Sequence, residues 1–350
     1  MDKLKKLRER IDWLDTQIAS LLNERMNAVD QVGAIKRRMK QDVADPKREM
    51  NVLHQVETLI QHPLLKASIA PIYQEILHES KTVQYFLQHL SLPFRKIGLI
   101  GMGMMGGSIV KGLKTKDSNL EIATLEWPSE DILLAQEGSW IDHVYRSIEE
   151  LVENSELLIL ASPLSTLLPL VEKIKCHDKK LTVIDLSSVK EEIVECFEKC
   201  TNQDVEYIST HPMAGKEKKG FANSQATLFV DRPWVIVPHK NNSVQAMENV
   251  KELILFLGAN PLYMEAKRHD RQAALISHLP TLLSKLYFDF VNSIDPESLK
   301  IAGPGFQSFT RLAKCSQELH EELITYNQQI VYETLDQWMK YIRENKEEQT

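Results

Sequence analysis

The chain has 350 residues, of which 43% are hydrophobic, and its formal net charge is −7 with a pI near 5.9. This length predicts two or three domains, and the acidic balance argues against a nucleic-acid partner. No apolar run approaches the roughly 20 residues that a membrane span needs, and the N-terminus MDKLKKLRERID is charged from its start, so we expect a soluble, cytoplasmic protein.

The cysteines favour neither a metal site nor a disulfide framework. They are Cys176, Cys196, Cys200 and Cys315, and none of them forms a C-x-x-C pair. Cys196 and Cys200 lie one helical turn apart, which is typical of packing. We therefore expect no bound metal.

Residues 1–92 carry a helical pattern. A heptad-like apolar stripe runs along their first part, formed by Leu4, Leu7, Ile11, Leu14, Ile18 and Leu21. The pattern predicts one helix of about 38 residues, roughly 57 Å long, which exceeds the width of so small a domain. We therefore expect it to pack against a partner chain. Further helices are expected from about Arg48 to Gln61 and from Ala67 or Ile69 to Leu90, with Pro71 tolerated only in the first turn.

Two cations interrupt this stripe. Arg25 occupies the position where the next apolar residue is due, and Lys36 lies three turns later on nearly the same face. A buried cation needs an anion, so one interpretation is a structural salt bridge to Asp45 or Glu49, or a charged group that reaches out to solvent. Arg8 lies about 100° round the helix from Arg25, so it could reach the same pocket only from a partner helix. The other interpretation is a site for a small dicarboxylate.

Residues 4–90 resemble the all-helical chorismate mutase family. The matching segments are LRERID, LLNERM, VGAIK, DPKRE and ESKTVQ. The resemblance implies an intertwined homodimer of three-helix chains that rearranges chorismate to prephenate, with Arg8 donated by the other chain. It also implies that Arg8, Arg25 and Arg48 hold the substrate carboxylates.

The same resemblance assigns the remaining polar residues of this module. Lys36 and Gln84 are expected to hydrogen-bond the ether oxygen of the breaking C–O bond. Glu49 is expected to bind the substrate hydroxyl, with Asp45 and Ser80 assisting. The reaction is unimolecular and needs no nucleophile, so catalysis depends on restraint and on charge stabilisation.

Residues 96–126 predict a dinucleotide-binding unit. Ile97–Ile100 is expected to be a buried strand, and glycines in G-x-G-x-x-G spacing follow it: Gly101, Gly103 and Gly106. Ser108–Lys114 suits a helix whose N-terminus would bind the pyrophosphate. Glu121–Leu125 reads as a second strand that delivers Glu126, whose carboxylate would accept from a ribose 2′-hydroxyl. The cofactor expected is NAD.

Apolar strands recur after this unit, with helical patterns between them: Leu157–Ala161, Thr182–Leu186, Tyr207–Thr210 and Trp234–Pro238. Alternating strands and helices predict a parallel doubly wound sheet, which binds ligands at the carboxyl ends of its strands. The candidates just past the strands include Ser162, Ser188, Lys190 and His211. A histidine there can act as a base at neutral pH, although a structural histidine is equally compatible with the position.

Residues 96–330 resemble the prephenate dehydrogenase family through VIDLSSVK, HPMAG, HDRQAALISHLP and GFQSFTRLAK. The resemblance implies that His211 deprotonates the ring hydroxyl of prephenate while hydride leaves to NAD⁺. Ser188 would orient His211 or the substrate, and Arg311 would bind a carboxylate. Lys190 would supply a second cation, and His278 would lie near the substrate ring. Some family members carry an acidic residue three positions before the arginine, where this chain has Ser308.

The sequence thus predicts a multidomain chain. It has an all-α three-helix module in residues 1–92, an α/β Rossmann-type domain in 93–265 and an all-α dimerisation domain in 266–350. We expect a bifunctional homodimer that converts chorismate to prephenate and then to 4-hydroxyphenylpyruvate. Three alternatives stay open: a dehydrogenase whose N-terminal helices only dimerise, a non-catalytic sensor of NAD and an aromatic acid, and arogenate as the substrate.

Overall fold

The computed structural model describes residues 2–89, 91–174, 177–200, 202, 204–215, 218–314 and 317–347. The chain divides into two compact units, Met1–Ser91 and Leu92–Thr350. In the part that the structure describes, no helix is both long enough and apolar enough to span a bilayer.

The first unit consists of the helices α1 (Asp2–Met39), α2 (Pro46–Leu59) and α3 (Pro63–Phe86). The 38 residues of α1 confirm its predicted length. Asp45 caps α2, because its side chain accepts the backbone N–H of Arg48 at 3.0 Å. The prediction for Pro71 was wrong: α3 starts at Pro63, so Pro71 lies inside the helix. Packing of α3 on α1 and α2 compensates for the hydrogen bond that a proline cannot donate. Leu90, the predicted end of this helix, lies outside the described residues.

The apolar stripe of α1 is exposed in the single chain. Ile18 is 54% exposed and Leu21 is 63% exposed, although both are large aliphatic residues. An exposed apolar face of this length is typical of a surface that another chain covers.

The second unit is built on an eight-stranded sheet in the part that the structure describes. Its strands are β1 (Lys96–Ile100), β2 (Glu121–Leu125), β3 (His143–Tyr145), β4 (Leu157–Leu160), β5 (Leu181–Asp185), β6 (Val205–Pro212), β7 (Pro233–Val237) and β8 (Asn260–Tyr263). The strand order is β3-β2-β1-β4-β5-β6-β7-β8. Every pair is parallel except β6 with β7, which run antiparallel.

Helices cover both faces of this sheet. They are α4 (Met104–Lys116), α5 (Glu130–Glu137), α6 (Ile148–Glu153), α7 (Leu164–Ile174), α8 (Glu191–Glu198) and α9 (Val244–Phe256). Successive residues of the central strands alternate between two separate apolar cores, with Leu157 and Ile159 in one and Leu158 and Leu160 in the other. This burial on both faces explains why these strands read as continuous apolar runs.

Two strands escaped prediction. β3 has only three residues, of which His143 is exposed, so it shows no apolar run. β8 contains Pro261, which argues against a strand, but β8 lies at the edge of the sheet, where proline is tolerated. The position predicted for His211 also needs correction. His211 lies inside β6, paired with Val235 of β7, and not after the end of the strand.

The C-terminal part is helical, as expected. Its helices are α10 (Ala266–Ala273), a π-helical turn (Ala274–His278), α11 (Leu279–Ile294), α12 (Pro304–Phe309) and α13 (Gln317–Glu347). The backbone of α13 departs from helical geometry at Asn327, where two helical segments meet at a kink. Cys200 is buried, as its predicted packing role requires, whereas Cys176 and Cys315 lie outside the described residues.

Candidate active sites

Two positions admit only glycine, one in the turn between β1 and α4 and one in the first turn of α4. Gly101 has a φ of +106°, and a Cβ there would lie 2.6 Å from the backbone of Ala161. A Cβ on Gly106 would lie 2.1 Å from the carbonyl oxygen of Gly101. The two glycines therefore let α4 pack directly on the turn that precedes it.

Gly103 differs from these two. It is the N-cap of α4, no side chain caps the helix, and a Cβ there would meet nothing within 4 Å. The first N–H groups of α4 thus face open space with the positive end of the helix dipole behind them. This cradle fits a pyrophosphate group, so the residues present suit a dinucleotide.

Glu126 and Ser162 flank the cradle. Glu126 is the first residue after β2, is exposed, and donates its backbone N–H to Tyr145 at 2.7 Å. Its carboxylate lies 3.7 Å from the guanidinium of Arg146, a residue that sequence reasoning missed because β3 was not predicted. Ser162 follows β4 and donates its hydroxyl to the Ile100 carbonyl at 3.4 Å, beside Gly101.

A chain of hydrogen bonds leads away from His211. Its Nδ1 lies 2.8 Å from Nε2 of His269, and Nδ1 of His269 lies 2.8 Å from a carboxylate oxygen of Asp270. Asp270 is fixed in turn, because it accepts the backbone N–H groups of Lys190 at 2.8 Å and Glu191 at 2.9 Å. His269 and Asp270 are both buried.

This chain determines the tautomers of both histidines. An ionised carboxylate only accepts hydrogen bonds, so His269 carries its proton on Nδ1. In a neutral His269, Nε2 is then an acceptor, and His211 must donate from its own Nδ1. The lone pair of His211 is therefore on Nε2, the nitrogen that remains for a substrate.

The first unit brings together polar residues of α1 and α3. Arg25 donates to the hydroxyl of Ser80, and Lys36 donates to the Val43 carbonyl at 2.7 Å. Gln84 is 8% exposed and donates to the Ser80 carbonyl at 3.3 Å, while its Oε1 has no partner among the described residues. The cations thus do not make the salt bridge to Asp45 or Glu49 that one interpretation required. Glu49 pairs with Lys81 at 3.0 Å instead.

Three family models match successive parts of the chain. Residues 7–85 match the chorismate mutase type II model, residues 110–263 the nucleotide-binding domain of prephenate dehydrogenase, and residues 265–348 its dimerization domain. The chain belongs to the prephenate dehydrogenase family, fused to a chorismate mutase type II domain. It is a bifunctional enzyme of tyrosine biosynthesis that joins chorismate mutase to NAD-dependent prephenate dehydrogenase.

Known proteins of both types resemble it. The prephenate dehydrogenase of Lactococcus lactis is 29% identical over 257 residues, which are 71% of this chain and 70% of the relative. The T-protein of Haemophilus influenzae is 25% identical over 285 residues, or 80% of this chain and 68% of the relative. The crystal structure of A. aeolicus prephenate dehydrogenase with hydroxyphenyl propionate and NAD⁺ has a TM-score of 0.68 and 27% identity, and the match covers 73% of this chain and 91% of that one.

His278 and Ser188 extend the dehydrogenase site. His278 ends the π-helical turn, an irregularity that often marks functional sites. Its side chain is 1% exposed, and neither its Nε2 nor the buried hydroxyl of Ser188 makes a hydrogen bond of good geometry to any described residue. A buried polar atom without such a hydrogen bond is typical of a position where a ligand or a water molecule completes the bonding.

The side chain of Lys190 points into the protein interior. Its ammonium is fully buried and contacts the Asp185 carboxylate, the Ser209 hydroxyl at 3.0 Å and the Thr210 carbonyl at 2.7 Å. These acceptors lie on β5 and β6, so Lys190 ties the two strands together. Its positive charge also helps to lower the pKa of His211.

The electrostatic surroundings keep both site histidines neutral. Burial, followed by the nearby His269, Lys190 and His278, holds the pKa of His211 well below its usual 6.5. Burial is also the main reason why the pKa of His278 falls to about 4, and it outweighs the Asp270 charge and the Ser188 backbone, which act in the opposite direction. Both rings are therefore neutral at pH 7, and each carries one proton.

Arg311 and Arg8 are two of the predicted site residues that lie on exposed positions. Arg311 opens a 3₁₀ turn (Arg311–Lys314), which is tied to α11 because Ala313 donates to Ser284 at 2.9 Å. Arg8 is exposed on α1, and 17 residues of helix separate it from Arg25, about 26 Å along the axis. Arg8 and Arg25 of one chain therefore cannot bind the same small molecule.

Proposed function

We propose that His211 is the general base of the dehydrogenase and that Arg25, Lys36 and Gln84 are the core of the mutase site. The observation that carries the first assignment is the hydrogen-bonded chain from His211 through His269 to Asp270. It orients the imidazole and supports the positive charge that the ring acquires when it takes a proton.

In the dehydrogenase reaction, Nε2 of His211 takes the proton of the ring hydroxyl of prephenate. Bound NAD⁺ supplies the acceptor for the hydride that leaves the same carbon. As the C–CO₂ bond breaks, its electron pair enters the ring, which becomes aromatic. Ser188 holds the hydroxyl, and Arg311 binds the carboxylate that is retained. Lys190 acts on this step only through its charge and through the turn that it supports.

The cradle residues serve the cofactor in this proposal. Gly101, Gly103 and Gly106 bring the backbone to the pyrophosphate, and Glu126 accepts from the adenosine ribose. Ser162 lies at the end of β4, where the cofactor crosses the sheet. The carboxylate of Glu126 repels a 2′-phosphate, which favours NAD⁺ over NADP⁺.

In the mutase reaction, Lys36 and Gln84 donate to the ether oxygen while the C–O bond of chorismate breaks. Arg25 and Arg48, with Arg8 from the partner subunit, bind the two carboxylates in a chair-like conformer. Glu49 binds the substrate hydroxyl, with Asp45 and Ser80 in support. Fixed donors suit this rearrangement, because negative charge develops on the ether oxygen.

The proposal includes a homodimer, which covers the exposed stripe of α1 and delivers Arg8. It also includes a cytoplasmic location. Arg311 and the neutral His278 suit both prephenate and arogenate, so the choice between them is made by comparing kcat/KM for the two substrates.

Two single substitutions separate the two sites. His211→Asn should lower kcat for NADH formation from prephenate by about 10²- to 10⁴-fold, while chorismate is consumed at the normal rate. Lys36→Met should do the reverse. The assignment of His211 fails if His211→Asn oxidises prephenate normally, and the mutase assignment fails if Lys36→Met still consumes chorismate.

A further inference from the structure

Asn327 is a buried amide at the irregular point of α13. It is 5% exposed, and its backbone (φ −131°, ψ 25°) leaves helical geometry at the kink where two helical segments of α13 meet. Here α13 packs against α10 and the π-helical turn, the two elements that carry the site histidines. A buried amide is unfavourable unless its polar atoms are hydrogen-bonded, so the partners of Asn327 determine whether it stabilises the site.

Both hydrogen bonds of Asn327 come from its amide nitrogen. Nδ2 lies 3.0 Å from the backbone carbonyl oxygen of Asp270 and 3.1 Å from Nδ1 of His278. A carbonyl oxygen can only accept, so the side-chain atom that faces it must be the NH₂ group. The second hydrogen of that group then points to His278, whose Nδ1 must carry the lone pair.

The proton of the neutral His278 ring is consequently on Nε2. This N–H is buried, and the backbone of Ser188 interacts with the ring without making a hydrogen bond of good geometry to Nε2. Burial keeps the pKa of His278 at about 4, so the ring is neutral at physiological pH and has only one proton to place. A buried donor without a well-formed hydrogen bond destabilises the protein, and an oxygen atom of a ligand would remove that penalty.

We propose that Asn327 is a positioning residue of the dehydrogenase, which presets His278 as a neutral Nε2–H donor to an oxygen atom of the substrate. The inference rests on the proposed dehydrogenase site. It assigns α13, in the region that matches the dimerization domain, a direct part in preparing that site.

The titratable and polar groups that face His278 come from three elements. Asp270 and His269 face it from α10, and His211 faces it from β6. From α13, the facing group is the neutral Asn327. Replacing this amide by a carboxylate therefore adds the only new charge, and it adds it next to Nδ1 of His278.

The test is Asn327→Asp, with Asn345→Asp as the matched control. Asn345 also lies on α13 and donates to a backbone carbonyl, that of Tyr341 at 2.8 Å, but it is remote from His278. A carboxylate at position 327 holds a proton on Nδ1 of His278 and raises its pKa. At low pH the imidazolium still donates from Nε2, whereas after deprotonation Nε2 becomes an acceptor and repels the substrate oxygen.

The expected result is a new alkaline limb. For Asn327→Asp, kcat/KM for prephenate should fall by at least about tenfold between about pH 6 and pH 8.5, while wild type and Asn345→Asp stay flat in that range. An equal loss of activity at every pH would indicate a merely structural role and overturn the inference. So would an unchanged profile.

A second variant tests whether the alkaline limb comes from the titration of His278. His278→Gln replaces the ring by a donor that does not titrate, so adding Asn327→Asp to it should produce no alkaline limb. A limb in this double variant would also overturn the inference. Chorismate consumption and NAD⁺ affinity report folding throughout. If His211→Asn retains full activity, the proposed function fails, and this outcome is distinct from failure of the Asn327 test alone.

Discussion

Two glycines at the start of α4 give a prediction in which similar substitutions both weaken NAD⁺ binding but differ in their effect on stability. In Gly106→Ala, the new methyl would lie 2.1 Å from the Gly101 carbonyl oxygen and 3.0 Å from Leu99, so α4 must move. Such overpacking costs about 1–3 kcal/mol, which lowers Tm by about 2–4 °C for each kcal/mol in a domain of this size. We expect this variant to lose both stability and NAD⁺ binding.

Gly103→Ala should behave differently. Its φ of −73° and ψ of −158° suit any residue, and the methyl meets no protein atom within 4 Å. Stability should therefore stay level or rise by about 0.4–1 kcal/mol, because alanine restricts the unfolded chain. The methyl nevertheless occupies the space through which a pyrophosphate approaches the backbone, so the Kd for NAD⁺ should rise by about tenfold or more.

Calorimetric unfolding and titration with NAD⁺ measure the two quantities separately. Chorismate consumption serves as the internal control, since the mutase residues lie in the other unit. The reasoning is refuted if Gly103→Ala binds NAD⁺ like wild type, or if Gly106→Ala unfolds at the wild-type temperature.

Three further predictions concern charge and assembly. Because the pKa of His211 lies well below 6.5, kcat/KM for prephenate should stay flat as pH falls through 6.5 and decline only below it; a midpoint at or above 6.5 would contradict this. The pKa of His278 is about 4 in the fold and 6.5 when unfolded, so its neutral ring contributes stability above pH 6.5 that is lost as pH falls to 4. The loss reaches about 3 kcal/mol, and His278→Gln should flatten the pH dependence of unfolding by that amount. Finally, Arg8→Ala and Arg25→Ala should each inactivate the mutase, yet subunit exchange between them should restore about a quarter of its activity, because half of the dimers then contain one intact site. If subunit exchange restores no activity, Arg8 of one subunit and Arg25 of the other do not belong to the same mutase site.

Local patterns made much of this fold predictable. The cradle was readable because glycine spacing, the preceding strand and the following acidic residue all lie within 31 residues of sequence. The central strands were readable because burial on both faces makes them continuously apolar. By contrast, β3 is too short to show a pattern, and its absence from the prediction hid Arg146.

The polar networks were not predictable, because they depend on contacts between distant segments. His269 lies 58 positions from His211 and hydrogen-bonds it only through the packing of α10 on the sheet. Lys190 was predicted to be a site cation because it follows a strand. The sequence gives no sign that its ammonium forms a buried ion pair with Asp185, the last residue of that strand. The kink that turns Asn327 inward has no signal in the sequence.

The most direct test of the whole account is one assay of the purified chain with chorismate and NAD⁺ and no other enzyme. Since the mutase makes the substrate of the dehydrogenase, the account predicts that NADH appears, together with 4-hydroxyphenylpyruvate in equal amount. If prephenate yields NADH and chorismate does not, residues 1–92 are not a working mutase and the central claim of two consecutive activities is wrong.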